Sequence, residues 1–174
     1  MPIIENHRLV NDPWQVLDDT AAVAGRSMVI VPLARLEEAL AAWPTGHRGL
    51  GVDLPNNARI DSIVPHLARL DIVTVNLPAF SDGRAFSQAR SLRHTHRFTG
   101  TIRARGNFIP DQYPLLLQAG VDSFEVSTRF TLEEWVAEAH AVPATYQRDY
   151  AAGAGLATRP FVEAQSWSEQ PHYG

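Results

Sequence analysis

The sequence contains no cysteine and no lysine among its 174 residues. The absence of cysteine excludes disulfides, thiolate zinc sites, cysteine nucleophiles and cysteine-ligated iron–sulfur clusters. The absence of lysine excludes a Schiff-base lysine, a pyridoxal-phosphate lysine and the lysine of a phosphate-binding P-loop. All 15 basic residues are therefore arginines, whose charge is permanent and whose planar fork suits oxyanions.

Long hydrophobic runs and an excess of positive charge are also missing. No apolar run approaches the roughly 18 residues that a membrane-spanning helix needs. The N-terminus, Met1-Pro2-Ile3-Ile4-Glu5, lacks the basic and apolar regions of a signal peptide. The formal net charge of −4 argues against nucleic acid or an anionic membrane as the main partner. We therefore expect a cytoplasmic protein that binds neither.

Short apolar runs alternate along the chain with segments of helical periodicity, which is typical of an α/β protein. The predicted strands are residues 28–31, 50–54, 71–77, 101–105 and 123–126. The predicted helices are residues 36–43, 61–70, 84–95 and 111–119, followed by one that opens at a capping box of Thr131 and Glu134.

About five repeated strand–helix units predict a parallel sheet with right-handed crossovers. A partial (β/α) barrel is the favoured closure, and an open doubly wound sheet is the alternative. Either architecture places function at the carboxyl-terminal ends of the strands. A half barrel would leave sheet edges exposed, so we expect a homodimer or coverage of the edges by the terminal segments.

The strand–helix rhythm stops near Tyr150, which predicts a single α/β domain over residues 1–148 and a C-terminal tail over residues 149–174. The tail has no clear period, so part of it is expected to be disordered. It also contains Phe161, Trp167 and Tyr173, which are costly to leave in water. These aromatic residues predict that the tail packs on another surface.

The loop after the third predicted strand reads Ser81-Asp82-Gly83-Arg84, at the edge of the sheet where α/β proteins bind ligands. Gly83 permits a positive φ or the close approach of a ligand. Asp82 is the candidate catalytic base, and capping of the next helix explains it equally well. Arg84 offers a bidentate charged contact, and the first N–H groups of the helix complete an anion site.

A second group of candidates lies on and after the fourth predicted strand. Arg103 and Arg105 share one face of that strand because they are two residues apart. Gly106 ends the strand, and Asp111-Gln112 opens the following helix. The full predicted ligand-binding set is Ser81, Asp82, Gly83, Arg84, Ser87, Arg103, Arg105, Gly106, Asp111 and Gln112.

Arginines dominate the stretch between Gly83 and Pro110, which contains six of them and no Asp or Glu. This balance predicts a local positive field that concentrates small anions. Arg90, Arg93 and Arg97 fall on one helix face, which is expected to be solvated or to contact a partner.

Two further signals are weaker. The seven histidines are scattered, and His94 and His96 cannot share a helical face, so no metal site is predicted. Asp53 ends the second predicted strand near the candidate site. It is either an acid–base partner or a turn-former before Pro55.

The central stretch from Phe80 to Arg93 reads FSDGRAFSQARSLR. It resembles a bacterial family known as domain of unknown function 934, whose pattern is similar to F-x-D-G-R-x-x-S-x-A-x-x-L-R. Other segments similar to the family pattern are Asp12-Pro13-Trp14, Val31-Pro32-Leu33, Arg103-Ala104-Arg105-Gly106 and Asp111-Gln112. The resemblance covers roughly residues 1–148.

The resemblance implies a role in sulfur metabolism, because members are typically encoded beside sulfite reductase components and some are labelled as oxidoreductases of sulfite reduction. It supplies no established catalytic residues. Relatives often carry a cysteine near position 119, where this chain has Ala119. Chemistry that needs that thiol is therefore excluded here.

Two functional hypotheses follow. The first is an oxidoreductase or accessory protein of assimilatory sulfite or sulfate reduction that binds a small anionic ligand at the strand ends. Redox chemistry would require a bound flavin or nicotinamide, and the sequence carries a fingerprint for neither, so the cofactor stays open. The second is a non-catalytic interaction module that docks to components of a sulfite reductase.

Overall fold

An eight-stranded sheet forms the centre of the fold in the computed structural model, which describes residues 1–79 and 81–141. The strands are β1 (Ile3–Glu5), β2 (Arg8–Val10), β3 (Gln15–Val16), β4 (Val29–Pro32), β5 (Leu50–Leu54), β6 (Ile72–Leu77), β7 (Thr101–Gly106) and β8 (Ser123–Glu125). Their order across the sheet is β2-β1-β8-β7-β6-β5-β4-β3. Strands β3 to β8 run parallel, and β1 pairs antiparallel with both β8 and β2.

Among the described residues, four α-helices accompany the sheet: α1 (Leu36–Ala42), α2 (Arg84–Arg90), α3 (Tyr113–Gln118) and α4 (Leu132–Ala141). The capping box predicted for α4 is present, since the Thr131 N–H donates to Glu134 at 2.6 Å and the Glu134 N–H donates to Thr131 at 3.3 Å. Shorter helical turns complete the connections. They are the 3₁₀ segments Leu33–Arg35, Ile60–Ser62, Val64–Arg69 and Pro110–Gln112 and the π-helical segment Ser91–Thr95.

The helix predicted over residues 61–70 is therefore wrong in type, because two 3₁₀ segments occupy this crossover. A 3₁₀ helix rises about 2.0 Å per residue, whereas an α-helix rises about 1.5 Å. The nine residues of the two 3₁₀ segments therefore cover about 18 Å. The crossover must return along the length of a five-residue strand, about 16 Å. The repeat of strand and α-helix is consequently less regular than five identical units.

Curling of the sheet follows from the connection between its two ends. Strands β2 and β3 lie at opposite ends of the sheet, yet only residues 11–14 join them. That connection spans at most about 18 Å. In a flat sheet the two outer strands would lie about 34 Å apart. The sheet therefore curls into a half barrel, as the favoured prediction had it, and the open doubly wound alternative does not describe it.

The N-terminal segment pairs with both ends of the predicted parallel sheet. Sequence patterns missed β1, β2 and β3 because each has only two or three residues, and β1 in addition pairs with the distant β8. Ile3 and Ile4 of β1 are buried against β8. The homodimer expected from open edges stays a prediction.

The two faces of the sheet differ in chemistry. One face packs against the helices through a large apolar core, to which Val52, Val75 and Phe124 contribute from the sheet and Trp135 from α4. The opposite face, called here the inner face, has an apolar floor and polar residues above it. In the floor Ile72 packs over Gly51, where an added Cβ would lie 2.2 Å from the Ile72 side chain.

Within the described residues, no helix has the length and apolarity required to cross a membrane. The predicted tail over residues 149–174, with its three aromatic residues, lies outside the described part of the chain, as does the end of the predicted domain. The described residues all belong to the unit Met1–Val142.

Candidate functional site

Polar side chains occupy the inner face at two levels along β5 to β8. Thr74, Arg103 and Ser123 are cross-strand partners, and together with Asp12 they form what we call the lower layer. One pleat closer to the carboxyl ends of the strands, Asn76, Arg105 and Glu125 form the upper layer. Asp53, on β5, is the cross-strand partner of Thr74 on β6 and lies between the two layers. Because side chains alternate along a strand, all of these strand residues face the same side of the sheet, and Asp12 reaches that side from the connection between β2 and β3.

In the lower layer, Arg103 is fully enclosed, with only 2% of its side chain exposed. Its two terminal nitrogens donate to the Asp12 carboxylate at 2.9 and 3.0 Å. Its Nε donates to the Ser123 hydroxyl at 3.0 Å, and Glu5 lies 3.9 Å away. Every guanidinium nitrogen thus has a partner from the chain and the side chain is enclosed, so Arg103 offers an added ligand little access for the role predicted for it.

In the upper layer, Arg105 has looser surroundings. Its Nη1 lies 3.8 Å from Asp53 and its Nε lies 3.6 Å from Glu125. Both distances exceed the range of an N–H···O hydrogen bond. In residues 1–79 and 81–141, Arg105 donates no hydrogen bond, and 26% of its side chain is exposed. Its donors are therefore available to an added acceptor.

Asp53 is held in one orientation by its neighbours on β6. Its Oδ1 accepts hydrogen bonds from the Thr74 hydroxyl and from Asn76 Nδ2, the latter at 2.7 Å. Its Oδ2 faces Arg105. One carboxylate oxygen is thus engaged by the sheet, and the other points toward the upper layer.

The predicted loop at residues 81–84 lies at the carboxyl end of β6. Asp82 accepts two hydrogen bonds from the Arg84 side chain, at 3.0 and 2.6 Å, one from the Arg84 N–H at 3.1 Å, and one from Asn56 at 2.5 Å. The contacts with Arg84, with a smaller contribution from Asn56, lower the pKa of Asp82 from 3.8 to about 2. Such a weak base is poorly suited to accept a proton near neutral pH.

Gly83 and Arg84 differ from the predicted arrangement. Gly83 has a φ of −82° and an added Cβ would meet nothing within 4 Å, so neither a positive φ nor a tight approach requires glycine there. The Arg84 guanidinium is occupied by Asp82, the residue two positions before it, although 60% of its side chain is exposed. This local pair competes with any ligand for the Arg84 donors.

The remaining predicted residues have separate settings. Ser87 is exposed on α2. Gly106 has a φ of +113°, and an added Cβ would lie 2.3 Å from the Leu77 carbonyl oxygen, so packing of β7 on β6 explains this glycine. Asp111 lines a shallow groove beside α4 with Phe130 and Glu134, and the Gln112 side chain accepts a hydrogen bond from the Ile109 N–H at 3.3 Å.

The arginine face predicted on the helix after β6 is only partly solvated. Arg90 and Arg97 are exposed. Arg93 instead donates to the backbone carbonyls of Gly120 at 3.2 Å and Gly100 at 3.1 Å, and also to the Phe98 carbonyl and the Asp122 carboxylate. It therefore ties the π-helical segment Ser91–Thr95 to the residues just before β7 and just before β8. The expectation that this face is solvated or contacts a partner fails at Arg93, because carbonyls of two loops converge on its guanidinium.

Sequence reasoning missed most of the inner face. Asp12, Thr74, Asn76 and Glu125 were not singled out, and Asp53 was left between two roles. A signal was present, since polar residues recur at every second position of strands β6, β7 and β8: Thr74 and Asn76, Arg103 and Arg105, Ser123 and Glu125. Alternation of this kind marks one polar face.

A metal site and a separate cavity are two other ways in which the described residues could hold a ligand. In the part of the chain that the structure describes, no group of three or more His, Asp or Glu side chains is placed to hold a metal ion. A groove of about 580 Å³, lined by Gly25, Trp43, His47 and Arg48 among others, lies where the chain enters β4 and β5. The groove therefore lies at the amino-terminal edge of these strands, away from the polar layers.

Comparison with known proteins gives one match. The family model for bacterial proteins of unknown function, DUF934, matches residues 51–156. No curated protein matches the chain significantly. The matched range contains Asp53, Asn76, Arg105 and Glu125 of the inner face, whereas Asp12 precedes it.

Proposed function

The chain belongs to the DUF934 family of bacterial proteins of unknown function, and from its inner face we propose that it binds a small oxyanion, with Arg105 as the main contact. The observation that carries this proposal is the pair of long contacts, 3.8 Å to Asp53 and 3.6 Å to Glu125. They hold the guanidinium in place without using its N–H groups. A planar guanidinium with free donors suits bidentate recognition of an oxyanion.

Arg105 is better placed for this role than the other predicted arginines. Arg103 is enclosed and held by Asp12 and Ser123, and Arg84 is engaged by Asp82. Arg105 also lies at the carboxyl end of its strand, the edge at which α/β proteins commonly bind ligands. The proposal therefore moves the centre of the site from the 81–84 loop to the upper layer of the inner face.

For the ligand we propose sulfite, sulfate or a derivative of them, bound by a cytoplasmic protein of assimilatory sulfite or sulfate reduction. The support is the resemblance of the FSDGRAFSQARSLR stretch to the family and the presence of one arginine with free donors at the strand ends. The protein acts either as an oxidoreductase or as an accessory to one. An oxidoreductase role requires a bound flavin or nicotinamide, since the chain has no cysteine.

Calorimetric titration with sulfite, sulfate and adenylylated sulfate tests the proposal. We expect Arg105→Ala to weaken binding by roughly tenfold or more, because it removes a hydrogen bond to a charged group. Arg90→Ala serves as the matched control, since Arg90 is exposed on α2. Absence of heat with every anion, or equal binding by wild type and Arg105→Ala, would contradict the proposal.

The alternative, docking to a reductase through the arginine face, has narrower support. Arg90 and Arg97 are exposed, but the Arg93 guanidinium is used within the chain. A docking surface would therefore rest on two arginines rather than three. The charge reversal Arg90→Glu with Arg97→Glu should abolish a complex with purified sulfite reductase while anion binding survives, if docking is the function.

A further inference from the structure

Carboxylates outnumber arginines on the inner face. Arg103 and Arg105 meet four carboxylates there: Asp12, Asp53, Glu5 and Glu125. Arg8 lies opposite Glu5 on the edge strand β2 and is exposed, so it adds charge at the periphery. The surroundings of Arg105 are thus net negative, which opposes binding of a fully deprotonated dianion.

The position of Asp53 sharpens this constraint. Its Oδ1 is engaged by Thr74 and Asn76, so it stays fixed while Oδ2 faces the Arg105 guanidinium at 3.8 Å. An anion bound to Arg105 would bring one of its oxygens close to Asp53 Oδ2. If that oxygen carried no proton, two lone pairs would face each other, whereas a hydroxyl would donate a hydrogen bond to the carboxylate.

We infer that this site selects an oxyanion that carries a proton, such as hydrogensulfite or hydrogenphosphate, over one that carries none, such as sulfate. Arg105 donates to the unprotonated oxygens of the ligand, and Asp53 accepts from its hydroxyl. Glu125, 18% exposed and 3.6 Å from Arg105 Nε, holds the guanidinium from the other side. The inference rests on the proposed function, and it defines the class of anion that this function concerns.

Wild-type protein provides the first test, with sulfite, phosphate and sulfate titrated by calorimetry at mildly acid and at mildly alkaline pH. Across this interval hydrogensulfite loses its proton, phosphate keeps at least one, and sulfate has none to lose. We expect sulfite binding to weaken by roughly tenfold or more on the alkaline side, the value of one hydrogen bond to a charged group. Phosphate keeps a hydroxyl but gains one negative charge, so its binding should weaken less than that of sulfite, and sulfate should bind weakest at both pH values.

The variant Asp53→Asn provides the second test. Its carbonyl oxygen can still accept from Thr74 and Asn76, while an amide N–H₂ replaces the acceptor that faces the ligand. Sulfate binding should therefore strengthen by roughly tenfold, and the pH dependence of sulfite binding should disappear. Asp61→Asn is the matched control, because it makes the same charge change at a carboxylate that is 70% exposed and pairs only with Arg59 among the described residues.

The outcomes separate the two proposals. If no anion binds the wild type, both the proposed function and this inference are wrong. If sulfate binds as tightly as hydrogensulfite and phosphate, and Arg105→Ala abolishes all three, then the anion site stands and the selection by Asp53 is wrong. A circular dichroism melt of Asp53→Asn establishes folding, and the wild-type comparison decides the inference even if that variant does not fold.

Discussion

Arg103 in the lower layer and Arg105 in the upper layer stand two residues apart on β7 and face the same side of the sheet, but their surroundings differ. Arg103 is enclosed, and Asp12 lies at 2.9 and 3.0 Å from its terminal nitrogens. Arg105 is 26% exposed, and its carboxylate neighbours lie beyond hydrogen-bonding distance. Of two identical side chains on one strand, one is thus enclosed and hydrogen-bonded within the chain, and the other has N–H donors available to a ligand.

The two arginines differ because a distant part of the chain places a carboxylate next to Arg103 only. Asp12 belongs to the connection between β2 and β3 and reaches the lower layer from 91 residues away in sequence. Nothing delivers a comparable partner to Arg105 from the described residues. Whether an inner-face arginine stabilises the fold or can bind a ligand therefore depends on which carboxylate the N-terminal segment brings to it.

The largest effect should come from breaking the lower layer with Asp12→Ala. This change leaves Arg103 enclosed without its main counter-charge, because Glu5 at 3.9 Å is too distant to replace a bidentate partner. Removal of one member of a buried ion pair costs about 3–5 kcal/mol in the free energy of unfolding. Urea denaturation followed by circular dichroism measures this loss.

Arg105→Ala is the matched comparison in the upper layer. Its contacts are long and partly solvated, so the free energy of unfolding should fall by no more than about 1 kcal/mol. If Asp12→Ala and Arg105→Ala lower the free energy of unfolding equally, the lower layer is not more important for stability than the upper layer.

A smaller effect is expected from glycine substitutions at the two sequence motifs. In Gly106→Ala, a Cβ would lie 2.3 Å from the Leu77 carbonyl oxygen at a φ of +113°, which should cost about 1–3 kcal/mol and displace the neighbouring Arg105. Gly83→Ala should change the free energy of unfolding by no more than about 0.5 kcal/mol, because the added methyl meets open space. Thermal melts of the two variants, with the anion titration repeated on each, make the comparison.

The smallest effect among the ion pairs concerns Asp82 and Arg84, which resemble the Asp12–Arg103 pair in geometry, although the Arg84 side chain is 60% exposed and that of Arg103 only 2%. Because folding lowers the pKa of Asp82 from 3.8 to about 2, its contribution to stability is present above about pH 4 and is lost as the pH falls toward 2. The difference in unfolding midpoint between wild type and Asp82→Asn should therefore disappear over that interval. Arg84→Ala should behave like Asp82→Asn, and a difference that persists at pH 2 would contradict the assignment.

The parallel part of the sheet could be predicted because its strands carry local signals. Residues 50–54 and 72–77 are short, mainly apolar runs closed by turn-formers, the second rich in β-branched residues, and the structure places β5 and β6 there. The two residues of β3 carry too little pattern to be recognised, and their pairing with β4 is non-local. Helix type in the crossover from β5 to β6 depended on the distance to be covered, and residue propensities for helix do not contain that distance.

For the candidate site, a periodicity of two placed Arg103 and Arg105 on one face, as the structure has them. The sequence could not show that Asp12 would enclose one of them, since that contact joins opposite ends of the domain. Backbone carbonyls of Gly100, seven residues away, and of Gly120, 27 residues away, made Arg93 a structural residue instead of a solvated one, and a helical pattern reports neither contact. Local patterns therefore identified the face, and long-range partners decided the role of each residue on it.

The pairing of β1 with β8 has a consequence for synthesis of the protein. Ile3 and Ile4 are synthesised about 120 residues before their partners Phe124 and Glu125 on β8. At roughly 5–20 residues per second, β1 waits several seconds for this partner strand. The sheet order places β8 between β1 and β7, so the native sheet cannot form before β8 has been translated.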